Sequence, residues 1–180
     1  MTSKPILIAY ASQTGATAEV ALAICRVLSV AGEIVELHPV EKVPDVGRYR
    51  AVVLGTAIRM GHPLPEADTF VRQHRAALAG LPVAVFSLGI TVRDGTPESR
   101  EQARQHLAPL LRHLPEPVSL SLFGGKVDHD RLSPVMRWMA SHDKTGGMRE
   151  GDWRDWAAIR AWAVDLALKL AQPETAPVFA

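Results

Sequence analysis

Three hydroxyls, on Ser12, Thr14 and Thr17, flank a glycine in the segment Ser12-Gln13-Thr14-Gly15-Ala16-Thr17. The segment joins a short apolar run to a helical pattern, and that placement suits an anion. The first N–H groups of a helix have no intrahelical partner, and the helix dipole adds partial positive charge there. The hydroxyls add donors, and Gly15 lets a ligand approach the backbone closely. No Lys or Arg lies in the segment, so a phosphate monoester fits it better than a nucleoside triphosphate. The Gly-x-x-x-x-Gly-Lys loop and the Gly-x-Gly-x-x-Gly fingerprint are both absent. The alternative is an ordinary polar turn with a hydroxyl cap. A second candidate segment, Gly55-Thr56-Ala57-Ile58-Arg59-Met60-Gly61-His62, carries Arg59 and His62. Arg59 offers a planar fork for a carboxylate or another anion, or it is a solvated loop arginine. His62 is able to move a proton near neutral pH, or it is a polar residue ahead of a proline turn.

The elements that would position these residues alternate in type. Apolar runs at Ile6–Tyr10, Ile34–Leu37, Ala51–Leu54, Val83–Leu88 and Val118–Phe123 read as strands. The second is bracketed by charges and is expected near an edge. Val20, Ile24, Val27, Leu28 and Ala31 form a helical stripe that stops at Gly32; Ala67, Phe70, Val71, His74 and Leu78 form another, with His74 as a core histidine. Thr96-Pro97 starts a third helix, in which Pro109 predicts a kink or an end near Ala108. Asp152 is expected to open the last helix, with the seam Trp156, Ile159, Ala163, Leu166 and Leu170. Cys25 is a small packing residue in mid-helix, and residues from about Pro173 form a frayed tail. This alternation predicts an α/β fold, a doubly wound five-stranded parallel sheet. By analogy its order is 2-1-3-4-5, with ligands beyond the carboxyl ends of the strands. Residues 1–172 are expected to form one domain, with a helical insert at about 126–150 after strand 5 and a tail at 173–180. Within the insert, Ser133 and Pro134 start a helix whose stripe is Leu132, Val135, Met136 and Met139, with Trp138 to the side.

Ser-x-Thr-Gly-x-Thr after strand 1 resembles the FMN-phosphate loop of flavodoxins. Ile58-Arg59-x-Gly61-His62 is similar to a segment of the flavodoxin-like, menaquinone-dependent protoporphyrinogen dehydrogenases. So are Gly124-Gly125 after strand 5, Gly146-Gly147 and the Asp152-Trp153 stretch. That family often has an aromatic residue where this chain has Met60. The resemblance covers nearly the whole chain and implies a flavodoxin-like fold with FMN as cofactor. It implies that FMN is held by Ser12, Gln13, Thr14, Gly15, Ala16, Thr17, Thr56, Ala57, Ile58, Arg59, Met60, Gly61, Ser87, Leu88, Gly89, Ile90 and Thr91. The flavin ring would lie between Ile58–His62 and Ser87–Val92. Arg59 and His62 are the catalytic candidates. Arg59 would stabilise an anionic reduced flavin or bind a substrate carboxylate.

Composition narrows the function. The 180 residues carry 20 Lys and Arg against 19 Asp and Glu, so no strong field selects nucleic acid. The one cysteine excludes an internal disulfide and a cysteine-based zinc site, and no metal site is expected. The N-terminal run is too short for a signal peptide, and no run approaches the ~18 apolar residues of a membrane span. Insert charges nearly cancel, so strong electrostatic membrane attachment is not expected. A cytoplasmic protein is expected, with at most peripheral contact at the inner face of a membrane. The leading expectation is an FMN-dependent oxidoreductase that takes electrons from a porphyrinogen or similar reduced substrate and passes them to a quinone. The alternatives are a flavodoxin-type electron carrier and a scaffold domain that keeps the fold without flavin. Carriers of that type are acidic as a class, and this chain is not; the three hydroxyls argue against the scaffold.

Overall fold

Alternate residues of the central strands face opposite layers, because successive side chains of a strand point to opposite faces. The computed structural model describes residues 4–143 and 148–171. Gly146-Gly147 and the tail at 173–180 lie outside the described residues. In β1 (Ile6–Tyr10), Ile6 and Ile8 join one buried cluster while Leu7 and Ala9 join the other. The same split holds in β3 (Ala51–Arg59), where Ala51 and Val53 oppose Val52 and Leu54. It recurs in β5 (Val83–Gly89), where Ala84, Phe86 and Leu88 oppose Val83 and Val85. One layer is closed by α1 (Ala16–Val30), through Val20, Ile24 and Leu28, and by α6 (Trp156–Ala171), through Ile159, Ala163 and Leu166. The other layer is closed by α2 (Pro65–Gln73), the single turn α3 (Arg75–Leu78) and α4 (Pro97–Leu111).

The main sheet runs β2-β1-β3-β5-β6, all parallel, with β2 (Val35–Pro39) and β6 (Ser119–Gly124) at its edges. This is the order 2-1-3-4-5 once the five main strands are counted alone, and the charged second strand is at an edge as expected. A short β4 (His62–Pro63) folds back antiparallel on β3. The segment after β6 pairs β7 (Lys126–Val127) with β8 (Gly151–Asp152) and carries the helix α5 (Pro134–His142) between them.

Four expectations need correction. The third strand does not stop at Leu54. It continues to Arg59 because Thr56 and Ala57 pair with Ser87 and Leu88, and Ile58 and Arg59 pair with Pro63 and His62. The second candidate segment is therefore strand and hairpin, not a loop. The helix with Pro109 continues to Leu111, since a proline this near the end removes only one internal donor. The last helix opens at Trp156, not at Asp152. Asp155 Oδ1 accepts from the N–H groups of Ala157 and Ala158 at 3.0 and 2.9 Å, while Asp152 sits in β8. His74 is half-buried at the end of α2, its ring 4.8 Å from that of Phe70, and is not a core residue. Cys25 is half-buried against the α1 layer of the core, as a packing residue would be.

Candidate functional site

The carboxyl ends of β1, β3, β5 and β6 open on one cavity of about 1020 Å³. Its first wall is the segment between β1 and α1, through Ser12, Gln13, Thr14, Ala16 and Thr17. Gly15 takes the N-cap position of α1 at φ 90°, a left-handed conformation that suits glycine. Its N–H donates to Ser12 Oγ at 3.1 Å, which folds the segment into a tight turn. Gly15 caps α1 with no side-chain hydrogen bond, so no side-chain cap occupies the first-turn N–H groups. Thr17 is 1% exposed, packed at the base of this cradle.

The second wall is the β3–β4 hairpin, through Ala57, Ile58, Arg59, Met60 and Gly61, with Leu64 below. Its two-residue turn places Met60 at φ 50° and Gly61 at φ 79°. Positive φ at both positions is the primed-turn pattern that matches strand twist, and Asn or Gly usually supplies it. Met60 is instead held in a sparsely populated conformation while 75% exposed. The Arg59 guanidinium donates to the Gln13 carboxamide oxygen, tying the hairpin to the first wall. The third wall is Leu88, Gly89, Ile90 and Thr91 at the end of β5.

The remaining wall comes from the insert. Gly125, Lys126, Val127, Arg131, Leu132, Ser133, Met136, Trp138, Met139, His142, Asp143 and Met148 face the cavity. The insert starts as the sequence predicts: Ser133 Oγ accepts from the Met136 N–H at 3.3 Å and Pro134 fills the first helical position. Of the stripe, Leu132, Met136 and Met139 line the cavity, while Val135 is exposed. Trp138 also lines it, and is 62% exposed. The β7–β8 pair and the Trp153 N–H, which donates to Gly125 O at 3.0 Å, form the neck from which this wall hangs.

A charge cluster holds the insert against the first wall. Arg131 Nη1 donates to Thr14 O and to Glu19 Oε1, both at 3.2 Å. Arg154, whose side chain is 4% exposed, donates to Glu19 Oε2 at 2.7 Å and to both oxygens of Asp152, at 2.8 and 2.6 Å. The hydrogen bond from Arg154 holds the carboxyls of both Glu19 and Asp152 below their usual range.

The structure thus gathers at one cavity Ser12, Gln13, Thr14, Ala16, Thr17, Ala57, Ile58, Arg59, Met60, Gly61, Leu88, Gly89, Ile90 and Thr91. It places four candidates elsewhere. Gly15, at the N-cap, is outside the lining although its neighbours on both sides are in it. Thr56 is buried, its hydroxyl accepting from the Leu64 N–H at 3.2 Å. Ser87 is buried within β5, and His62 is exposed on the outer arm of the hairpin. Sequence reading did not place Lys126 or Arg131 at the cavity. Both are ordinary charged residues by type, and only the folding back of the insert brings them there.

Comparison with known proteins follows the same lines. A profile of the flavodoxin domain matches residues 7–146. The chain is 25% identical over 173 residues to a protoporphyrinogen IX dehydrogenase [quinone] of Escherichia coli (strain K12), covering 89% of this chain and 93% of that protein. It is 30% identical over 135 residues to the protein of the same name in Leishmania major, covering 69% of this chain and 57% of that one. Among solved structures, a flavodoxin from the domain Archaea superposes with a TM-score of 0.57 at 14% identity, covering 93% of this chain and 99% of the other. With its sheet order and its profile match in agreement, the chain belongs to the flavodoxin domain family.

Proposed function

We propose that this protein is an FMN-dependent oxidoreductase that oxidises a reduced tetrapyrrole-like substrate and delivers the electrons to a quinone. The observation that carries the reading is the cavity itself. It runs from a helix N-terminus with no side-chain cap to an apolar wall of Leu132, Met136, Trp138 and Met139. An electron carrier needs only an exposed flavin edge, whereas a walled space serves a second occupant. A volume of 1020 Å³ stands at the upper end of the range for small-molecule sites, about 300–1,000 Å³.

The residues present fit FMN. The cradle offers backbone N–H groups and the hydroxyls of Ser12, Thr14 and Thr17 to a phosphate. The apolar lining residues Ile58, Leu88 and Ile90 suit a flat aromatic ring. When bound, FMN supplies the two-electron chemistry; the chain supplies binding, orientation and electrostatics. Arg59 keeps a fixed positive charge at the cavity's edge, held by Gln13, where its fork would orient a carboxylate-bearing substrate. Met60 and Trp138, both exposed and both lining the cavity, form an apolar lip where a greasy acceptor would enter. His62 is exposed and outside the cavity lining, so on this reading it would face solvent rather than the ring. Among the described residues no helix is long and apolar enough to cross a membrane, so a lipid-borne quinone would be met at this lip by peripheral contact.

The test is the visible spectrum of the purified protein, followed by anaerobic turnover with protoporphyrinogen IX and a menaquinone analogue. Bound flavin with turnover supports the reading. Bound flavin that exchanges electrons only with other proteins assigns a carrier, and a colourless protein that takes up no FMN overturns the reading altogether.

A further inference from the structure

We propose that Arg131 is a phosphate-reading residue supplied by the insert, so that FMN binding and the seating of the insert wall are one event. The proposal rests on the FMN reading above. The segment Ser12–Thr17 contains no cation, yet a phosphate monoester carries nearly two negative charges at neutral pH. The helix dipole supplies only about half a positive charge there. Glu19, in the first turn of α1, opposes the phosphate further. Two guanidiniums flank that acid, and they differ in what they have left to give. Arg154 is buried away from the cavity lining and holds Glu19 and Asp152 through Nε, Nη1 and Nη2. Arg131 is half exposed, lines the cavity, and shares only one oxygen of Glu19.

Its position is close to the backbone of the cradle. Nη1 bonds the Thr14 carbonyl, and a Cβ built on Gly15 would lie 2.8 Å from that nitrogen. Gly15 is glycine for its left-handed backbone, and the guanidinium packs directly on it. Arg131 is aimed by its own element: it ends a short 3-10 turn, His129–Arg131, capped by Asp128, whose carboxylate lies 3.6 Å from Arg131 Nε. Three residues later α5 begins, so a pull on Arg131 is a pull on the wall. A guanidinium has five N–H donors, and the contacts named here leave others for phosphate oxygens.

The experiment measures FMN and riboflavin affinity for the parent, Arg131→Gln and Arg131→Lys, together with amide exchange across residues 128–142. Riboflavin presents the same ring without the phosphate. In Arg131→Gln, FMN affinity is expected to fall at least about tenfold, the loss of one hydrogen bond to a charged group. Riboflavin affinity should stay unchanged, and Arg131→Lys should fall between. FMN should slow exchange across 128–142 in the parent more than riboflavin does, and that difference should vanish in Arg131→Gln. Parallel loss of both flavins would make Arg131 a structural residue and overturn the proposal, as would an unchanged ratio of FMN to riboflavin affinity. A parent that binds neither flavin overturns the FMN reading itself, an outcome distinct from an Arg131 failure.

Discussion

At the scale of single residues, Arg154 ties two neighbours in sequence to a helix 135 residues away. It holds Glu19 of α1 and Asp152 of β8, and its guanidinium lies 4.7 Å from the centre of the Trp156 ring at the start of α6. Arg154→Gln should cost about 1–3 kcal/mol at neutral pH, because two carboxylates lose a charged donor but remain partly hydrated. The pH dependence follows from the direction of the carboxyl shifts. Glu19 and Asp152 are lowered from ordinary values of 4.5 and 3.8. A lowered carboxyl contributes stability that is fully present above its unfolded value and is lost as the pH falls through its folded one. The gap in Tm between parent and Arg154→Gln should therefore be full near neutral pH and close as the pH drops below 4.5 through the lowered values. A gap that stays constant into acid would assign the effect of Arg154 to its stacking on Trp156. Sequence reading saw none of this. Arg154 and Glu19 are 135 residues apart, and neither type nor local period marks a long-range ion pair.

At the scale of elements, legibility depended on whether the signal was local. The cradle could be read because its parts are consecutive: an apolar strand, a turn with hydroxyls and glycine, then a helical stripe. The start of α5 could be read for the same reason, since a serine cap and a proline in the first turn are local devices. The hairpin could not. Gly55 and the polar Thr56 suggested a loop, whereas pairing to β5 on one side and β4 on the other keeps the chain extended to Arg59. The turn then forces Met60 to φ 50°, against its own preference. Backbone strain of this kind at the rim of a cavity is the sort that function retains. Met60→Gly should raise stability by up to about 1 kcal/mol, since glycine adopts the turn without strain. It should also weaken turnover with a quinone, because the apolar side chain at the lip is removed. Thermal unfolding and steady-state kinetics on one variant check both. Lower stability in Met60→Gly would mean that the methionine contributes packing that outweighs its strain.

At the scale of the whole molecule, the insert divides the work of the fold. The parallel sheet and its covering helices bury their cores without α5, which has no buried residue. The insert therefore adds little to the sheet's stability and much to the cavity, one side of which it builds from Leu132, Met136, Trp138 and Met139. Replacing Leu132–Asp143 with a short Gly/Ser linker should leave the fold and riboflavin binding intact, because β7 and β8 still close the neck. Oxidation of a porphyrinogen and reduction of a quinone should both be lost, because the second occupant of the cavity loses its wall. FMN affinity should fall toward that of Arg131→Gln, since Arg131 remains in the chain but the element that steadies it is gone. Three measurements on one protein decide the matter: circular dichroism, flavin titration and anaerobic turnover. Unfolding would make α5 a packing element after all. Full turnover with a native spectrum would remove the insert from the site and move the protein toward the electron carriers whose fold it shares.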